Sequence, residues 1–279
     1  MAGSSKIGVV FSSGFFGFFA HAGFLTAIRQ LGIAPSGYAG ASSGAILAAM
    51  AASEMTDEAI KGLLFNLQKT DFWDPDPWSK IISSGLRLFR GYSGYLRGEG
   101  FERLLEQMPV KRIEDCAVPL LIVATNLTHQ KEECFTEGSL VKSVQASGAV
   151  PALFQPVQIN GALYVDGGMV NKAPVQALAD LVEPDRIIVH FIASDNLEEE
   201  DNRFLKKRIT PWHIHQLSVN ISRQEAYKRQ CDMLREQGVE VIEVRTSTPS
   251  LGPNSLEKGP AVHAKAREAT LFALSKKGF

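Results

Sequence analysis

Short, nearly unbroken apolar runs alternate along the chain with longer stretches in which apolar residues return every three or four positions. The runs Lys6–Phe11, Val118–Leu127 and Arg186–Ala193 have the length and β-branched content of strands covered on both faces, as in a parallel sheet. Glu133–Phe135, Gly161–Asp166 and Val239–Val244 are shorter strand candidates. The helical rhythm predicts helices over Ala20–Leu31, Ala45–Ala52, Thr56–Gln68, Leu140–Ala146, Pro174–Val182, Thr210–Gln237 and Pro260–Leu274. Within Thr56–Gln68, residues Ile60, Leu63, Leu64 and Leu67 share one face, whereas Ala45–Ala52 is apolar all round and reads as a buried helix. Strands alternate with helices and no linker or repeat intervenes. The pattern predicts an α/β fold: one domain over residues 1–279, a three-layer α/β/α sandwich around a mostly parallel central sheet.

One region breaks the rhythm. Asp71–Trp78 carries two prolines, and Leu86–Phe101 mixes Arg87, Arg90 and Arg97 with Phe89, Tyr92 and Tyr95. A lid or insertion is expected at about residues 71–101. Two readings stand for it: a surface that meets lipid or an acyl chain, and an ordinary loop-rich cap with snorkelling arginines, which ranks slightly ahead. The acidic Asp195–Asp201 and basic Arg203–Arg208 read as solvated surface.

Composition narrows the function classes. A chain of 279 residues, 45% hydrophobic with a formal net charge of −1, can bury a substantial core and carries no electrostatic footprint for nucleic acid. Cys116, Cys134 and Cys231 are scattered and odd in number, which favours a reducing compartment. No metal-ligand spacing or organic-cofactor motif appears, and neither group is expected. The uncharged span Ile7–Ile28 superficially resembles a signal peptide or membrane span. However, Ser12, Ser13, His21 and four glycines interrupt it, and its character passes from strand through turn to helix. The expectation is a soluble cytoplasmic protein, with peripheral contact at a membrane left open.

Candidate chemistry begins at Gly40-Ala41-Ser42-Ser43-Gly44, a G-x-S-x-G nucleophile-elbow pattern. The pattern puts a serine at the apex of a sharp strand-to-helix turn, and Gly40 and Gly44 let neighbouring backbone pass without Cβ clashes. The helix that follows directs its positive dipole end at Ser42. Earlier, Ser12–Phe19 links the first strand to the first helix; its glycine spacing is wrong for a dinucleotide fingerprint, and an oxyanion hole serving Ser42 is the better use. Later, the strand Gly161–Val165 delivers Asp166 into the double-glycine turn Gly167-Gly168, at a strand end where a parallel sheet binds ligands.

Taken together, these stretches resemble the patatin-like phospholipase family. The elbow with its alanine-rich helix matches that family's nucleophile segment. Ser147-Gly148-Ala149-Val150-Pro151-Ala152-Leu153-Phe154-Gln155-Pro156 resembles its Ser-x-Ala-x-Pro-x-x-Phe-x-Pro run, and Asp166-Gly167-Gly168 with Asn171 and Pro174 looks like its Asp-Gly-Gly/Ala motif. The resemblance is strongest over residues 6–182. It implies a patatin-like fold and a serine–aspartate dyad. Ser42 attacks an acyl ester of a (lyso)phospholipid or related lipid, Asp166 takes its proton without a histidine, and an acyl-enzyme forms and is hydrolysed. Backbone N–H groups of Gly14, Phe15 and Phe16 would hold the oxyanion.

The first loop departs from the family pattern Gly-Gly-Gly-x-Arg/Lys-Gly. The basic position falls on Gly17 or Phe16, depending on the anchor, so its cation is missing. That departure motivates a second reading, a catalytically weak lipid-binding or scaffolding protein. A third is a Ser-His-Asp esterase using His263 or His215, although His263 sits in a helical pattern and His190 reads as a satisfied core residue.

Overall fold

The computed structural model describes residues 5–79, 92–193, 211–247 and 251–279. The strands are β1 (Ile7–Phe11), β2 (Gly37–Ala41), β3 (Gly94–Leu96), β4 (Leu120–Asn126), β5 (Lys131–Phe135), β6 (Ala152–Phe154), β7 (Val157–Ile159), β8 (Ala162–Asp166), β9 (Arg186–Ala193) and β10 (Glu240–Ser247). The helices are α1 (Phe18–Gln30), α2 (Ser43–Ala52), α3 (Asp57–Phe65), α4 (Lys69–Phe72), α5 (Glu99–Leu105), α6 (Leu140–Ser147), α7 (Val175–Val182), α8 (Pro211–Glu236) and α9 (Gly259–Ser275). The central sheet runs β10-β9-β1-β2-β4-β8-β7, with β5 also paired to β4. The pairs from β10 through β4 are parallel, and β5, β7 and β8 join antiparallel.

Alternating residues of the central strands feed two separate apolar layers, which is why their sequences read as continuous hydrophobic runs. Val9, Phe11, Ile188 and Ile192 face α1, α2 and α9, whereas Val10, Ile187, Val189 and Phe191 face α7 and α8. Phe11, Phe19, Phe24 and Phe191 are fully buried, and each contributes about 1.5–3 kcal/mol of burial free energy. The N-terminal apolar span resolves into β1, a loop and α1, with α1 packed along α9. Among the described residues no helix is long and apolar enough to cross a membrane.

One expectation needs correcting. Asp166 reaches its position on an antiparallel strand, not at the end of a parallel one. Ala41 pairs with Val123 across β2 and β4, and the next β4 residue, Ala124, pairs with Asp166. Because β8 contacts only the C-terminal half of β4, it ends level with the end of β2. Antiparallel entry therefore delivers the carboxylate to the same edge as the elbow.

Residues 80–91 of the expected lid, and the acidic and basic stretches at 195–208, lie outside the described residues. The flanks of the lid region are well tied. β3 pairs in parallel with β6, and Asp74 accepts hydrogen bonds from Gly98 N (3.1 Å) and Gly100 N (3.1 Å) at the start of α5.

Candidate active site

Ser42 sits between the last residue of β2 and the first of α2 with φ 56° and ψ −124°, a conformation that costs a side-chain-bearing residue about 1–3 kcal/mol. Its surroundings hold it there. The Ser42 N–H donates to Ser147 Oγ at 2.8 Å, from the buried end of α6. A Cβ at Gly40 would lie 2.4 Å from the Gly44 carbonyl oxygen, and one at Gly44 would lie 2.3 Å from that of Phe11. The turn thus folds directly onto β1. Gly44→Ala is expected to destabilise the protein by roughly 3 kcal/mol, read as a lowered urea midpoint with an unchanged m-value.

Asp166 is 5% exposed and equally constrained. Its N–H donates to Ala149 O (2.9 Å), its carbonyl accepts from Thr125 Oγ1 (2.8 Å), and its Oδ1 accepts from Gly168 N (2.7 Å). Gly167 and Gly168 open the 3-10 turn Gly167–Met169; a Cβ would come within 2.0 Å of Val123 O at Gly167 and 2.5 Å of Ser13 Cβ at Gly168. Burial raises the carboxyl to about 6, against the opposing influence of the Ser42 hydroxyl, the Gly168 N–H and the Arg223 guanidinium. Ser42 and Asp166, 124 positions apart in sequence, thus face each other. The Ser42 hydroxyl lies close enough to lower the carboxyl, while Asp166 Oδ2 meets no hydrogen-bond partner among the described residues. Such contacts commonly tighten only when substrate is bound.

The loop after β1 completes the site. Ser12 N donates to His190 O (3.1 Å), Ser13 N to Lys172 O (2.7 Å) and Gly17 N to Gly14 O (2.8 Å), while Ser43 Oγ donates to Gly14 O (2.5 Å). Phe16 takes a left-handed φ of 53°. The N–H groups of Gly14, Phe15 and Phe16 meet no acceptor among the described residues. All three residues line an apolar pocket that has Ser42 in its wall. Ile46 and Met50 of α2, Leu63 and Leu64 of α3, and Phe72, Trp73, Phe101 and Phe154 supply much of the rest.

The family model for patatin-like phospholipase matches residues 9–179, which is more than half of the chain. The chain belongs to the patatin-like phospholipase family. Among curated relatives, lysophospholipase NTE1 of Cryptococcus neoformans is 28% identical over 199 residues, covering 70% of this chain and 12% of that protein. An uncharacterised NTE family protein of Mycobacterium tuberculosis is 30% identical over 178 residues, covering 63% of this chain and 46% of the relative. The chain therefore spans less than half the length of either. Among solved structures, VipD from Legionella pneumophila superposes with a TM-score of 0.54 at 16% identity, covering 98% of this chain and 67% of VipD, a likeness of fold.

Against the patatin-like pattern, the first loop keeps unpartnered backbone donors but has no cation at Phe16 or Gly17. Histidines do not replace it. His21 and His190 form a fully buried pair, Nδ1 to Nδ1 at 2.7 Å. His21 Nε2 must donate to the Ser12 carbonyl (2.8 Å), so its Nδ1 accepts from His190, whose Nε2 accepts from Thr246 Oγ1 (2.8 Å). Burial pushes His21 down to about 3, and the pair stays neutral as a support beneath the loop. His263 lies in α9 within 3.3 Å of Thr26 Oγ1, its ring against Phe65, and does not line the pocket. The side chain of His215 lies outside the described residues. Among the described residues, no group of three His, Cys, Asp or Glu side chains could hold a metal ion.

Two contributors were not singled out from sequence. Ser147, quoted only as the first letter of a motif, accepts from the Ser42 N–H. Arg223 reaches the Asp166 turn from α8, and a lone arginine in a polar helix gives no sequence signal of that kind.

Proposed function

We propose that the chain hydrolyses acyl esters of (lyso)phospholipids or related lipids through a Ser42–Asp166 dyad. The observation that supports this reading is a strained elbow serine in the wall of an apolar pocket, whose hydroxyl acts on a buried carboxylate with one oxygen lacking a hydrogen-bond partner among the described residues. Ser42 Oγ attacks the ester carbonyl carbon while its proton passes to Asp166 Oδ2. The carbonyl oxygen becomes an oxyanion facing the N–H groups of Gly14, Phe15 and Phe16, together with that of Ser43 at the positive end of α2. Collapse of the tetrahedral intermediate returns the proton to the departing alkoxide and leaves an acyl-Ser42. Water, deprotonated by Asp166, then attacks that ester and releases the fatty acid and free enzyme. A carboxylate is a modest base, and its elevation to about 6 by burial brings it nearer the working pH.

The pocket suits an acyl chain. Ser42, Ile46 and Met50 follow one another at four-residue spacing, so the lining runs from the nucleophile down one stripe of α2. Phe15, 56% exposed, stands at the pocket wall, an apolar group suited to peripheral contact with a lipid surface. A panel of lysophospholipids and aryl esters with acyl chains from about two to about sixteen carbons tests the assignment. Preference for medium or long acyl chains is expected. Ile46→Trp should shift kcat/KM toward short chains by roughly tenfold or more, since each methylene in an apolar pocket is worth about 1–3 kcal/mol. Equal activity across chain lengths in both proteins would remove the pocket from the account.

A further inference from the structure

We infer that Arg223 is a positioning residue of the acyl-transfer site, fixing the Gly167-Gly168 turn and setting the electrostatic surroundings of Asp166. The inference rests on the dyad reading above.

Arg223 occupies a position where α8 otherwise buries apolar surface. Tyr227, Cys231 and Leu234 follow it at four-, eight- and eleven-residue spacing, and all three belong to the core layer behind β9. Tyr227 packs on Phe191 with ring centroids 5.0 Å apart. A cation on that stripe needs compensation, and the compensation it finds is the active-site turn. Its Nη1 donates to the Gly168 carbonyl, and its charge acts on Asp166. The same Gly168 donates its N–H to Asp166 Oδ1 at 2.7 Å, so one residue joins guanidinium to carboxylate. Arg223 Nε is buried and meets no hydrogen-bond partner among the described residues.

Among the described residues, the cation whose charge acts on Asp166 is Arg223. The Ser42 hydroxyl and the Gly168 N–H are uncharged. The Lys172 ammonium lies 4.4 Å from the Phe191 ring centroid, and Asn171 donates to Glu132 Oε1 at 3.0 Å. Arg223 also lies outside residues 9–179, so the motifs of the matched region do not specify it.

The test is the pH dependence of kcat/KM and kcat on a soluble aryl ester, with the full chain as wild type, Arg223→Gln, Arg223→Lys and Asp166→Asn. Loss of the cation favours the protonated carboxyl. The acid limb of Arg223→Gln is therefore expected to move up by about one pH unit or more, with kcat at pH 7 down roughly two- to tenfold and the loss shrinking at higher pH. KM should change little, and Arg223→Lys should bring the limb back toward wild type. An unmoved limb in Arg223→Gln, or an Arg223→Lys profile coinciding with it, overturns the inference. If Arg223→Gln does not fold, Arg223→Lys decides. A lowered kcat with the limb kept supports positioning, and a profile identical to wild type, or any other pattern, rejects it. Asp166→Asn separates the two levels: an active Asp166→Asn enzyme overturns the dyad, and with it this inference. An inactive one beside an unmoved Arg223→Gln limb overturns this inference alone.

Discussion

Ser42→Ala is expected to lower kcat/KM for an aryl ester by roughly 10⁴-fold or more while leaving the urea midpoint close to that of wild type. The size follows from the chemistry, because the other hydroxyl lining the pocket among the described residues is not free to attack. Ser43 is its neighbour in sequence, but its hydroxyl is committed to the Gly14 carbonyl. Stability should hardly move, since the strain at residue 42 belongs to the backbone and its N–H keeps the bond to Ser147 in the alanine variant. Residual hydrolysis within tenfold of wild type would mean that the ester is cleaved by another group.

Asp166→Asn is expected to be nearly as damaging, roughly 10³–10⁴-fold in kcat, and to move stability the other way. An amide keeps an acceptor for the Gly168 N–H but cannot take the serine proton. The stability sign follows from linkage. The carboxyl has an ordinary value of 3.8 and a folded value of about 6. Below the lower value both states are protonated and burial carries no ionic penalty. As pH rises through the folded value that advantage is lost, leaving the ionised fold less stable by about 3 kcal/mol. At pH 8 Asp166→Asn should therefore unfold at a urea concentration no lower than wild type. The wild-type acid limb should lie near pH 6. A variant both inactive and clearly less stable at pH 8 would assign Asp166 a structural role.

Much of this was legible in the chain. The central strands were readable because β1, β4 and β9 are covered on both faces, so Val9 and Val10 are equally apolar although they enter opposite layers. The elbow was readable because its glycines are demanded by backbone contacts as close as 2.3 Å, and close approach of that kind leaves a sequence signature. The direction of β8 was not. A five-residue strand ending in Asp166 reads the same parallel or antiparallel, and only its register against Ala124 and Thr125 settles the matter. Nor was Arg223 readable, because its partner is a backbone carbonyl 55 positions away. The pairing of β3 with β6, which ties Gly94–Leu96 to the Ala152–Phe154 segment, was equally hidden: strands this short carry little pattern.

The central claim is tested most directly by exposing wild type, Ser42→Ala and Asp166→Asn to a fluorophosphonate at pH 8 and locating any adduct by peptide mass spectrometry. The account predicts a single stoichiometric adduct on the peptide containing Ser42 in wild type, none in Ser42→Ala, and labelling slowed by orders of magnitude in Asp166→Asn. Wild-type protein that hydrolyses esters while its Ser42 peptide stays unmodified would contradict it.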